Sequence, residues 1–185
     1  MARRPAPAAA GAAGKLGPID LATATLDLAA LFPGDQLCFE AATESEGSMP
    51  ASPDTIYVQR KGLKDGMNGE LVLAASLDGK RVTRLEIFAR GIAAPGGVEV
   101  GMTMAEIAKA APTATCDWGG GLRGMLCAAP GDGFTYQFDT NDWSGGAGGA
   151  AIGKGPQDTP LQWLIYDYGD GKGPTISATP PTCKQ

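Results

Sequence analysis

The 185-residue chain contains no histidine. Histidine is the side chain that ordinarily titrates near neutral pH, the commonest general base and a very common metal ligand. Its absence removes Ser-His-Asp and Cys-His nucleophilic mechanisms and most zinc hydrolase chemistry. A zinc site here would need all four cysteines, or cysteines mixed with carboxylates. The cysteines are scattered, with no short-spaced pair to nucleate such a site. No tightly bound transition metal and no cofactor are expected.

Long apolar runs are also missing. No stretch of about eighteen apolar residues occurs, so no transmembrane segment is expected. The first residues, MARRPAPAAAGAAGKLG, lack the Leu/Val/Ile-rich core of a secretory leader. Residues 1–15 read as a flexible linker or the remnant of a trimmed leader. A basic field is absent too. Through Val100 there are twelve acids against ten bases, and after it eight against five, for a net charge of −5. Nucleic acid is therefore an unsuitable partner.

What is present is glycine (28) and proline (14), high for the length, which argues for short elements and many turns. The length suits one domain with a real core. Ile19 to Phe32 reads as an amphipathic helix capped by Thr23 and ended by Pro33-Gly34. A short strand is expected around Cys38-Phe39, then strands over 55–60, 70–77 and 81–89. The last two are joined by Asp78-Gly79, a hairpin signal of the type I′ kind. Thr103-Met104-Ala105-Glu106 spells a capping box that opens a second helix, stopped by Pro112. Met104, Ile107 and Ala108 should face the core. Strands follow over 122–128, 134–139 and 162–168, with an irregular loop over 144–160. The residues after Gly169 form a polar tail, frayed unless Cys183 ties it down. No internal repeat is visible. The expectation is an α+β fold: one domain over 16–170, built as a mainly antiparallel sheet with two short helices on one face, and a tail over 171–185.

Cys38, Cys116, Cys127 and Cys183 are even in number and have no CxxC spacing. They read as one or two disulfides in an oxidising compartment; the alternative is four reduced cytosolic thiols. Cys116 and Cys127 bracket the glycine-rich segment 117–126, which can turn back on itself and bring the two together. Cys38 with Cys183 is the residual pairing.

Other motifs are incomplete. GGAAIGKG, 148–155, nearly spells a phosphate-binding loop, but Gly155 replaces the hydroxyl residue and Pro156 forbids a following helix. Asp117, Asp139, Asp142, Asp167 and Asp170 could supply a carboxylate pair for glycan chemistry, although aspartates at strand ends are usually turn formers. Two fragments, one over 139–142 and one over 167–171, resemble calcium loops without the full ligand spacing. Trp118, Trp143 and Trp163 fall in the second half with Tyr136, Tyr166 and Tyr168. Aromatics of this kind either stack on a sugar or peptide or fill the core of a small sheet, and the alternation of Trp163 with Ile165 fits the core. Trp118, Trp143, Asp139 and Asp142 are the candidate ligand-binding residues.

Several segments resemble the YfeY-like family of uncharacterised bacterial envelope proteins. They are Phe32-Pro33-Gly34; VEVGMTMAEIAKAAP over 98–112; Cys116 to Phe138 around RGMLCAAP; Asp142-Trp143; and Trp163-Leu164-Ile165-Tyr166. The resemblance covers roughly residues 16 to 168. It implies a periplasmic or envelope location and a domain of unknown function, and it transfers no catalytic residue. The chain differs from a lipidated envelope protein in showing no leader and no lipid-accepting cysteine. The reading is a non-enzymatic envelope domain that binds or scaffolds an unidentified partner. The alternatives are a carboxylate-type glycan-acting enzyme and an inhibitor of a cell-wall hydrolase.

Overall fold

The computed structural model describes residues 14–44, 51–60, 70–118, 124–131, 133–139, 149–169 and 171–183. The protein is α+β and mainly antiparallel β. A small ladder pairs β1 (Lys15–Leu16) with β2 (Ile19–Asp20). The main sheet begins with β3 (Thr25–Leu26). After helix α1 (Leu28–Leu31) come β4 (Gln36–Glu40), β5 (Asp54–Gln59), β6 (Leu71–Asp78) and β7 (Arg81–Ile87). After helix α2 (Met104–Ala110) come β8 (Thr115–Trp118), β9 (Met125–Ala128), β10 (Phe134–Phe138), β11 (Ala150–Ala151), a 3-10 turn (Ile152–Lys154), β12 (Leu161–Asp167) and β13 (Thr175–Ile176).

The strand order is β11-β8-β9-β10-β12-β7-β6-β5-β4, with β13 pairing β3 and β7. Two four-stranded meanders, β4 to β7 and β8-β9-β10-β12, meet edge to edge through antiparallel β7 and β12. Each follows a short capped helix. In one, Asp27 caps the sequence LAAL before Pro33 and the Cys38 strand; in the other, Thr103 caps MAEIAKA before Pro112 and the Cys116 strand. The topology is thus doubled, although no repeat is visible in the sequence.

Local chemistry explains most elements. In β7, Leu85 and Ile87 are buried while Arg84 is exposed, the alternation of a half-buried strand. Thr103 and Glu106 form the reciprocal cap: the Thr103 N–H donates to Glu106 Oε2 at 2.7 Å, and the Glu106 N–H donates to Thr103 Oγ1 at 3.4 Å. Met104 and Ile107 are buried, Ala108 packs against the core, and Glu106 and Lys109 face solvent. In the hairpin, Asp78 pairs with Arg81, so Gly79 and Lys80 are the central residues. Gly79 has φ +59 while Lys80 does not have positive φ, which is the II′ pattern rather than I′.

Two expectations change. The helix over 19–32 shrinks to one turn. Residues 19–20 and 25–26 are extended, Thr23 hydrogen-bonds locally to Thr25, and Asp27 supplies the cap through Oδ1 to the Ala30 N–H. The cause is tertiary: Leu26 is claimed by Ile176 in a parallel pair, which holds it in the extended form. The second change is in the tail. Residues 171–183 contribute β13, and a parallel bridge from Thr182 to Phe39 extends the sheet past β4. Of the expected linker, all but Gly14 and Lys15 lies outside the described residues, and Lys15 is in β1.

Candidate functional site

The four cysteines form two cystines. Cys116 and Cys127 stand directly opposite each other on β8 and β9, with Cα atoms 3.9 Å apart, both buried. Cys38 on β4 is bonded to Cys183, Cα to Cα 4.7 Å, and both are only half-buried. All four sulfurs are therefore committed, and none can serve as a thiolate ligand.

Of the five candidate aspartates, Asp117, Asp139 and Asp167 are among the described residues. Asp117 is exposed on β8, where its Oδ1 accepts the Gly149 N–H at 2.7 Å. Asp139 is exposed just past β10, and Asp167 ends β12 at the other end of the β10–β12 pair. Counting strands and residues from the register, the Asp117 and Asp139 backbones are about 12 Å apart. Asp167 Oδ1 accepts from Arg84 Nε at 2.7 Å. Burial works against the Arg84 charge, yet the Asp167 carboxylate outweighs it and holds the guanidinium above its ordinary value. Asp142, Asp170 and the 139–142 fragment beyond Asp139 lie outside the described residues, as do Trp143 and the Trp118 side chain. The phosphate-loop look-alike is described only from Gly149, where it runs into β11 and the 3-10 turn.

The aromatics divide between the two faces. Tyr136, Tyr166 and Tyr168 are core residues, and the Tyr166 and Tyr168 rings meet edge to face at 4.9 Å. Burial drives the Tyr168 hydroxyl pKa upward, and that hydroxyl has no hydrogen-bond partner among the described residues. Trp163 instead pairs in register with Gln137, on the face opposite Phe138 and Met125. It is half-buried against Phe88, ring centroids 5.8 Å apart, where the meanders join. On the same face the Tyr57 hydroxyl pKa is raised, first by burial and then by Glu40.

The concavity that stands out among the described residues was not foreseen. It is a cavity of about 230 Å³ at the β4 side of the sheet. Its floor is Leu26, Leu28, Ile56 and Ile176, all buried. Its rim includes exposed Asp27, Ala29, Ala178 and Pro181. Three distant parts of the chain build it: the turn into α1, the β4–β5 pair, and the segment after β13. That last wall is held by hydrogen bonds from the Phe39 N–H to the Pro181 carbonyl and from the Cys183 N–H to the Phe39 carbonyl, both within 2.9 Å, and by the Cys38–Cys183 bond. Only non-local contacts assemble it, so no sequence signal marks it.

The fold has a solved counterpart. YfeY of Escherichia coli, described as an uncharacterised protein from its crystal structure, superimposes with a TM-score of 0.50 over 84% of this chain and 97% of its own, at 18% sequence identity. This chain has the YfeY fold. No protein-family profile and no curated protein matches the sequence. At this identity the likeness to YfeY speaks of architecture, and the expected family resemblance is carried at that level. Among the described residues no helix is long and apolar enough to cross a membrane.

Proposed function

We propose that this chain is an extracytoplasmic domain of the bacterial envelope that binds a ligand or partner and does not transform it. The observation that carries the compartment is that all four cysteines are spent as two cystines, one of them half-buried and joining residues 145 positions apart. A reducing cytosol does not sustain such bonds as structural elements. Binding rather than catalysis is supported by the aliphatic lining of the cavity.

The test is to alkylate the protein in its native cells before lysis, then denature it and measure its mass without reduction. Four cysteines resistant to alkylation are expected; unpaired thiols would place the chain in the cytosol and overturn the reading. The binding half fails if purified protein turns over a glycan, ester, peptide or phosphate substrate and Asp139→Asn or Asp142→Asn abolishes the turnover.

A further inference from the structure

The cavity beside α1 has a chemistry specific enough to name a ligand class. Its floor is aliphatic, with Leu26, Leu28, Ile56 and Ile176 meeting below the mouth. Apolar space left unfilled beside a core forfeits dispersion contacts on every side chain that lines it. Aliphatic walls offer an entering group no fixed polar partner, so the part that enters must itself be apolar. Charge appears at the rim, and there it has one sign. Asp27 is the charged residue of the lining, and it is exposed. Its Oδ1 accepts the Ala30 N–H at 3.0 Å as the helix cap, which leaves Oδ2 turned to no partner among the described residues. The whole chain carries a net charge of −5, so the protein's field adds to that of the rim.

We propose that this cavity is a binding site for a single aliphatic chain that bears a cationic head group, the chain on the Leu26–Ile176 floor and the head beside Asp27. The inference deepens the binding reading given above and rests on it. The wall formed by Ala178, Pro180 and Pro181 belongs to the segment that Cys183 fastens to β4. The site is therefore complete only while that cystine is closed. Oxidation state and ligand affinity are coupled through one short stretch of chain.

The experiment uses the oxidised full chain, methyl-labelled for NMR, titrated below the micellar range with three probes of one chain length: octylammonium, octyl glucoside and octanoate. Octylammonium should shift the methyls of Leu26, Leu28, Ile56 and Ile176, and should bind roughly fivefold tighter than octanoate, the size set by one exposed attraction gained and one repulsion avoided. Asp27→Asn keeps a side chain able to cap α1 and removes the charge; it should erase that preference and leave the melting temperature in place. Ala29→Trp should fill the mouth and weaken octylammonium more than tenfold, with Ala178→Trp as the second variant should the first fail to fold. Reduction of Cys38–Cys183 alone should weaken it as well. Absence of shifts at the four floor residues would overturn the site, and so would octyl glucoside or octanoate binding as tightly as octylammonium, or a preference that survives Asp27→Asn. The mass of the same sample reports both cystines, so a failed titration on fully oxidised protein sinks the cavity and leaves the compartment reading standing.

Discussion

Cys183 is fastened to Cys38 from one position beyond a β-bridge: Thr182 pairs in parallel with Phe39, and the Cys183 N–H donates to the Phe39 carbonyl at 2.9 Å. The chain's last described turn thus extends the sheet beyond β4 and is covalently pinned there. Closing a loop across 145 positions stabilises the fold by about 5 kcal/mol in the chain-entropy account, against about 3 kcal/mol for the 11-position Cys116–Cys127 loop.

The two cystines should therefore differ in lability. Cys116 and Cys127 are buried opposite each other, while Cys38 and Cys183 are half-buried at the sheet edge. Thiol–disulfide exchange needs access to sulfur. In a graded dithiothreitol titration, alkylation should mark Cys38 and Cys183 first, and the melting temperature should fall in that first step. Peptide masses showing Cys116 and Cys127 labelled first would reverse the assignment.

Thr103→Ala should cost about 1 kcal/mol through the lost N-cap. The Glu106 carboxyl is held below its ordinary value by the Thr103 backbone N–H and then by the Thr103 hydroxyl. A carboxyl lowered in the folded state adds stability that is present above its unfolded pKa and lost as pH falls through the folded one. Thr103→Ala keeps that backbone N–H and loses only the hydroxyl, so the difference between Thr103→Ala and the parent in urea unfolding should shrink only slightly below about pH 4. A melting curve unchanged by the substitution at neutral pH would show that the cap carries no weight.

How much of this was legible follows from which contacts are local. The capping box, the Asp78-Gly79 hairpin and the Cys116–Cys127 pairing each lie within about a dozen residues, and the chain's own chemistry specifies them. The hairpin still took the II′ form, because only Gly79 has to enter the left-handed region. The helix over 19–32 failed for the opposite reason. The helical spacing of Leu26, Ala30 and Leu31 is real, but Leu26 is taken by Ile176, 150 positions away, and propensity yields to that pairing. The structured tail, the doubled meander and the cavity share this non-local origin. Trp163 shares its side with Ile165, as the alternation predicts; Ile165 is buried there, while Trp163 stays half-buried against Phe88.

Tyr168→Phe should stabilise the protein or leave it unchanged. A buried hydroxyl without a partner bears its desolvation cost with no return, about 1 kcal/mol or more. The same group carries a pH signature. Burial raises its pKa in the folded state, so its share of stability is full below the unfolded value near pH 10 and is lost as pH rises beyond it. Alkaline unfolding should start later in Tyr168→Phe than in the parent. Lower stability at pH 7 would mean that the hydroxyl is bonded in solution.

Gly173 is the position where the tail's docking is most exposed to a single change. A Cβ there would run into the Val82 carbonyl oxygen and press on the Tyr168 ring at 3.1 Å. The neighbouring contacts leave little room to shift. The Val82 N–H donates to the Pro174 carbonyl at 2.9 Å, and Arg81 donates to the Gly173 carbonyl at 2.9 Å. Backbone meets backbone, and neither side is the free end of a flexible chain. Gly173→Ala should therefore destabilise the fold by about 3 kcal/mol or more, in the range of overpacking where the site cannot relax. The damage should appear first in β13, which carries the tail between β7 and β3. Amide exchange should accelerate at Thr175, Ile176 and Ser177, whose N–H groups donate to Ala24, Lys80 and Leu26, before it does in β5 and β6. A methyl group at Gly171 or Gly131 would meet nothing within 4 Å, but both have positive φ, +66 and +85, and alanine there should cost only the conformational strain of about 1 kcal/mol. A Gly173→Ala penalty no larger than that of Gly171→Ala would show that the tail does not dock against Val82, and that the cavity loses the wall it needs.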